Sequence, residues 1–289
     1  MLLQFIFNGL ITGLLYALLA MAFSLSYSAT KNFHLAYAAL IVGGAYIYYT
    51  FVQLLGFNWL ISAVLSLIIS GLLNAIIESL IYQPLEKRRL SPNSILLVSI
   101  GLFIILTNLI AILFGNEVKA ISDDLQPGFK FGNYILTHMQ IVQVVVGIIA
   151  VVALLIISKY SKLGILLKAI SFDNILFSVF GHNAKKFRIL LYAVSGALSA
   201  IVSMLIASDV GFDPYFGMSL FLNALVVIIF GGVGSFKGSL TGGLILGVLQ
   251  SLSVYFFESR WETTITFLLL IIILVLRPHG LFGAKQRLI

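Results

Sequence analysis

Glu78 is the one acidic side chain well inside an apolar run of this chain. A carboxylate inside a membrane is costly and is a functional candidate by default. Glu78 lies about a turn from the end of its run, so an ion pair with Lys87 or Arg88 of the next loop is the favoured reading. The other reactive side chains do not assemble into a site. His34, His138, His182 and His279 fall in separate segments and lack the i, i+4 spacing of a zinc helix. There is no cysteine, which excludes disulfides and thiolate metal sites. Glu117, Asp123 and Asp124 do not follow a calcium-loop spacing with a bidentate glutamate. The run Gly231-Gly232-Val233-Gly234-Ser235-Phe236-Lys237-Gly238 is as glycine-rich as a phosphate loop but lacks the Gly-Lys-Ser/Thr that would open a helix on a nucleotide. No Gly-x-Ser-x-Gly elbow occurs. These absences predict a protein without catalytic residues, metal or cofactor, and place any nucleotide hydrolysis on another polypeptide.

The elements holding these residues belong to lipid. Charged residues make up 9% of the chain, hydrophobic ones 61%, and the mean hydropathy is +1.12. Nine apolar stretches stand near 4–28, 34–53, 59–81, 94–115, 138–158, 188–208, 218–236, 239–257 and 263–276. A bilayer core needs roughly 20 apolar residues per helix. The runs are continuous rather than alternating, which selects helices over a barrel. The expected fold is an all-α polytopic membrane protein with about eight or nine transmembrane helices. The glycine content of 218–236 and 239–257, or the segment 34–53, marks where one is broken or re-entrant. Loops are too short for a soluble domain, so residues 1–289 read as a single transmembrane domain. The first segment lacks a basic leader and is too long for a cleavable signal, so it reads as a retained helix. Loops 82–93, 116–137 and 159–187 each have room for a short helix.

The net charge of +7 is distributed as membrane topology requires, not as a nucleic-acid surface. With nine crossings, all of the 17 lysines and arginines except Lys119, Lys130 and Arg260 fall on one side. That is the positive-inside pattern and puts loops 82–93 and 159–187 and the tail in the cytoplasm. Gly9 and Gly13 are spaced for close helix approach within the chain. Loop 159–187 is amphipathic from Gly164 to Lys186, suited to lying on lipid or to filling the groove of a cytoplasmic partner.

Several motifs, in order, resemble one family. Phe7-Asn8-Gly9 with Gly13 and Tyr16-Ala17-Leu18-Leu19-Ala20 looks like its opening. Glu78, Tyr82, Pro84-Leu85 and Ile100-Gly101-Leu102 follow. Then come Gly164, Lys168-Ala169, Asp173 and Gly181; Gly231-Gly232, Gly234-Ser235, Gly238 and Gly242-Gly243; and Arg277-Pro278, Gly280-Leu281 and Gly283. Together the chain resembles the smaller permease subunit of bacterial high-affinity branched-chain amino-acid ABC importers.

The resemblance implies an ABC importer permease fold in the bacterial inner membrane, crossing it many times. The partners it implies are separate ABC ATPase subunits, a second permease (a heterodimer) and an extracytoplasmic binding protein, within membrane lipid and without nucleic acid. It implies that 159–187 is the cytoplasmic coupling loop, with Gly164, Lys168, Ala169, Asp173, Asn174 and Gly181 meeting the ATPase. His34, Tyr37, Gly44, Tyr46, Gly231, Gly232 and Gly234 are the candidates for the translocation path. Departures fall mainly in segment two: aligned on Gly44-Ala45-Tyr46, His34 stands at the family's asparagine, Tyr37 at its histidine and Ala38 at its glycine. Lys168 replaces an arginine, Phe177 a small residue, Gln83 an arginine and Gln250 a frequent glutamate. These departures keep urea, short amides and other amino acids open as solutes beside the branched-chain ones. An ion-coupled secondary transporter is less favoured, because the middles of the segments carry no ionisable group.

Overall fold

The computed structural model describes residues 1–121, 128–131, 134–172, 174–277 and 280–282. The helices are α1 (Leu2–Thr30), α2 (Tyr37–Leu54), α3 (Trp59–Lys87), α4 (Pro92–Phe114), α5 (His138–Tyr160), α6 (Lys162–Phe172), α7 (Asn174–Val179), α8 (Ala184–Val210), α9 (Phe216–Gly231), α10 (Phe236–Phe257) and α11 (Ser259–Leu276). Eight of them are long and apolar enough to cross a bilayer; α9, with 16 residues, is shorter. At 1.5 Å per residue α9 spans only about 24 Å. It stops at Gly231, and Gly232 and Gly234 turn the chain with φ of +92° and +81°. The run expected at 218–236 is therefore a shorter helix followed by a glycine turn, and the 34–53 helix begins only at Tyr37, leaving His34 in the preceding turn. Loop 116–137 has room for a short helix. Its described residues include an antiparallel strand pair, β1 (Gly128–Phe131) with β2 (Tyr134–Thr137).

The contacts group into two compact units, each assembled from separate stretches of chain. In the first (1–24, 124–156, 222–289), Gly9 and Gly13 of α1 meet Gly247 and Gly243 of α10. A Cβ on Gly13 would stand 2.6 Å from the Gly243 carbonyl oxygen, so both helices need glycine there. With lipid on both sides there is no solvent to expel, and such backbone approach supplies the packing energy. Gly231 and Gly238 meet equally closely where α9 turns into α10. Leu281 and Phe282 donate their N–H groups to the Phe230 and Gly231 carbonyls, at 2.8 and 3.0 Å. The tail thus satisfies helix-end acceptors that have no intrahelical donor, and the late glycine motif and the Gly280-Leu281 motif form one piece.

The second unit (25–123, 157–221) is built on α2, α3 and α8. Ser62, Ser66, Ser70, Asn74 and Glu78 recur every fourth residue, form one stripe of α3, and are all buried to 2% exposure or less. Facing it, α8 offers Tyr192, Gly196, Ser199 and Ser203, also buried. Gly71 lies against the Ala193 carbonyl and Gly196 against that of Ser70, while Gly44 of α2 sits on Ala200 and Ser203. Between Glu78 and Tyr82 the turn of α3 widens to a π form. Pro84, which has no N–H to give back to the preceding turn, follows directly.

Candidate functional site

Two groups of side chains in the second unit stand out. The first surrounds His34. Its Nδ1 is 2.7 Å from the Tyr82 hydroxyl and its Nε2 3.1 Å from Asn74 Oδ1. Asn74 Nδ2 donates to the Tyr192 carbonyl at 2.8 Å, which leaves Oδ1 as the acceptor. His34 is therefore the neutral Nε2–H tautomer, accepting from Tyr82 at Nδ1. The rings of Tyr37, Tyr82 and Tyr192 enclose it with centroids 4.9–5.9 Å away. Burial pushes the imidazole down to about 4, against a smaller raising effect of the bond to Asn74. Tyr37 donates to the Ser195 carbonyl and accepts from Ser195 Oγ, both at 3.0 Å. Gly44 and Tyr46 are buried further along α2, Tyr46 between Phe114 and Phe212 with a hydroxyl that makes no hydrogen bond among the described residues. Of the candidate path residues, His34 and Tyr37 belong to one cluster. Gly231, Gly232 and Gly234 lie in the other unit, in the turn after α9.

The second group is a charge cluster. Arg188 Nη2 lies 2.7 Å from Glu78 Oε1, and Nε donates to the same oxygen at 2.9 Å. Nη1 and Nη2 reach the two oxygens of Glu86. Glu78 thus has its ion pair, but with Arg188, far along the chain, and not with the expected Lys87 or Arg88. Its other oxygen, Oε2, has no hydrogen bond among the described residues. Asn32 donates to Glu86 at 2.7 Å, and Gln83 donates to the Lys185 carbonyl at 3.0 Å. The end of α3, the start of α8 and the α1–α2 turn therefore meet at the end of this unit that carries Lys31, Lys87, Arg88, Lys185 and Lys186.

The segment before α8 is exposed. Ser161 accepts from the Gly164 N–H at 3.2 Å to start α6. A Cβ on Gly164 would lie 2.2 Å from the Ser158 carbonyl oxygen, so only glycine permits this reversal from α5. Lys168 and Ala169 are exposed, Ile170 is buried, and Gly181 turns the chain with φ of +82°. Asp173 lies outside the described residues, as does the side chain of Asn174. Phe177 is buried and stacks on Phe187 with centroids 5.5 Å apart. Beneath it is a 250 Å³ cavity lined by Leu166, His182, Asn183, Lys186 and Leu190 among others. Phe172, Val179 and Phe180, by contrast, are 75–86% exposed.

Asn223 and Thr266 of the first unit are partners of Gln250 that the sequence did not bring together with it. Gln250 Nε2 donates to Thr266 Oγ1 at 2.5 Å and to Asn223 Oδ1 at 3.1 Å, tying α9, α10 and α11 together. The only signal of Asn223 and Thr266 was a polar side chain in each of two apolar runs. Among the described residues no group of three or more His, Cys, Asp or Glu could hold a metal ion.

A sequence profile described as "Branched-chain amino acid transport system / permease component" matches residues 5–276. The chain is 29% identical to the high-affinity branched-chain amino acid transport system permease protein LivH of Salmonella typhimurium, over 98% of this chain and 96% of that one. It is also 29% identical to BraD of Pseudomonas aeruginosa, with the same coverage of both chains. At 26% identity it matches a probable branched-chain amino acid transport permease of Methanocaldococcus jannaschii, over 97% and 92% of the two chains. Among solved structures, a chain of "PsaBC from Streptococcus pneumoniae in complex with Fab" superposes with a TM-score of 0.54 at 18% identity, covering 95% of this chain and 92% of that one. That likeness shows the fold alone.

Proposed function

Because the chain belongs to the permease-component family of branched-chain amino acid transport systems, we propose that it forms one half of the membrane path of an ABC importer for branched-chain amino acids. The family is one of transport permeases and not of enzymes. The observation that carries the reading is the family match across 5–276, on a multi-pass inner-membrane chain. Hydrolysis belongs to two separate ATPase subunits. A second, non-identical permease completes the path, and an extracytoplasmic binding protein delivers the solute.

The segment 162–181 is the contact with the ATPases in this reading. Phe172, Val179 and Phe180 offer apolar surface beside Lys168, at a place where a solvated loop would have none, and such a face suits the groove of a partner. Closing of the ATPases on nucleotide displaces this segment, and α8, which begins just beyond the Gly181 turn, carries the displacement into the membrane. Asp173 and Lys168 orient the segment by charge. His34, Tyr37, Gly44, Tyr46 and the turn Gly231, Gly232 and Gly234 remain the proposed path residues. All but Gly234 are buried in the present state, which makes them parts that repack as the path opens.

The test is uptake by the reconstituted importer. Labelled leucine should enter vesicles only with ATP and binding protein, and unlabelled isoleucine and valine should compete while urea and acetamide do not. Competition by urea alone would move the solute to the amide class, and uptake by this chain unaided would end the importer reading. Lys168→Ala with Asp173→Ala should lower both uptake and stimulated hydrolysis; unchanged values would remove the coupling assignment.

A further inference from the structure

We infer that Arg188 is a positioning residue that fastens the foot of α8 to the end of α3, so that the two move as one body when the segment 162–181 is displaced. The inference rests on the coupling role proposed for that segment. The guanidinium holds Glu78 by Nε and Nη2 and Glu86 by Nη1 and Nη2, from within the protein, at 7% exposure. Two stretches meet at it, α3 through Glu78 and Glu86 and the α1–α2 turn through Asn32 on Glu86, and beside it Gln83 of α3 donates to the Lys185 carbonyl of α8.

This arrangement is a poor way to gain stability alone. Two carboxylates face one cation, and Glu78 Oε2 is buried without a hydrogen bond among the described residues. Apolar side chains of similar volume often serve a buried site as well as an ion pair or better. What a planar fork supplies is direction, because its paired N–H bonds fix both carboxylates relative to the helix that carries it. Elsewhere the α3–α8 contact has single hydrogen bonds, from Asn74 to the Tyr192 carbonyl and from Gln83 to the Lys185 carbonyl, and neither is a paired fork. Gly71 against Ala193 and Gly196 against Ser70 bring the backbones together over small, smooth surfaces that resist separation but not sliding. The fork stands at the one end of this contact that adjoins the Gly181 turn. A push arriving there would slide α8 along α3 unless something pinned the register. Pinned, it reaches Asn74 and, through it, His34.

The experiment uses the complete importer with Glu78→Gln and Arg188→Gln combined, a neutral pair that leaves only the partly exposed Glu86 charged, still held by Asn32. The variant should assemble and keep at least half of the stimulated ATP hydrolysis, but deliver at least about five-fold less leucine per ATP. The chain has no cysteine, so Lys87→Cys and Lys185→Cys can carry spin labels directly. Without the neutral pair, the labelled importer should give one narrow distance that trapping with ATP leaves unchanged; adding the pair should broaden it. A wild-type yield of leucine per ATP in the neutral variant, or a label distance that the pair does not broaden, overturns the inference. So does a distance that changes on ATP trapping when the fork is intact. The label distances read the pin whatever the solute is, whereas failure of the importer reading shows as ATP-independent uptake by the unmodified complex.

Discussion

Acidification should destabilise this protein in part through His34. Its imidazole is buried, accepts at Nδ1 from Tyr82 and donates at Nε2 to Asn74. A second proton would have to sit on the nitrogen that the Tyr82 hydroxyl already fills. The folded protein therefore takes that proton only near pH 4, whereas an unfolded histidine takes it near 6.5. Between those values the unfolded chain binds more protons, so stability is present in full above 6.5 and falls as the pH drops toward 4. Integrated, this amounts to about 2 kcal/mol lost between pH 7 and pH 5, and about 3 kcal/mol by pH 4. The measurement is unfolding by sodium dodecyl sulfate in mixed micelles, followed by far-ultraviolet circular dichroism, for the wild type and His34→Gln at several pH values. Glutamine keeps a donor and an acceptor but cannot titrate, so carboxylates common to both proteins cancel in the difference. The wild type should lose about 2 kcal/mol more than the variant from pH 7 to 5. Parallel pH profiles would refute the tautomer and the hydrogen-bond assignment together.

Gly13→Val should abolish folding of the first unit, because its Cβ would stand 2.6 Å from the Gly243 carbonyl oxygen; overpacking of this kind costs about 3 kcal/mol or more, and the loss is read as monodisperse protein recovered in detergent. Gly164→Ala should leave the circular dichroism of the spans intact while uptake falls at least about ten-fold, since the added methyl displaces α6 from the Ser158 carbonyl. Phe172→Asp with Phe180→Asp should change stability by less than about 0.5 kcal/mol, both side chains being exposed. The same pair should reduce co-purification of the ATPases by about ten-fold or more.

Much of this architecture can be read from composition, because a bilayer tolerates few alternatives. Each apolar run corresponds to a helix, and Gly9 and Gly13 meet glycines of α10 as their spacing suggests. The strand pair of β1 and β2 was not legible, since a few mixed residues between turns carry no decisive period. More instructive is α3. Ser62, Ser66, Ser70, Asn74 and Glu78 stand in plain sight at four-residue steps, yet each is isolated in an apolar run and vanishes in a hydropathy average. Only their partners reveal the stripe as an interface: Ser66 donates to the Gly44 carbonyl of α2, and Asn74 and Glu78 find theirs on α8, more than a hundred residues later. Lys87 and Arg88 were the obvious mates for Glu78 because they were near in sequence; the fold leaves them at the surface and brings Arg188 instead.

The 110 residues between Glu78 and Arg188 also set a schedule for biogenesis. At the pace of translation, roughly 5–20 residues per second, the acidic helix waits on the order of 5–20 s before its counter-charge leaves the ribosome. Throughout that interval Glu78 has no counter-charge and must take up a proton or stay at the headgroups.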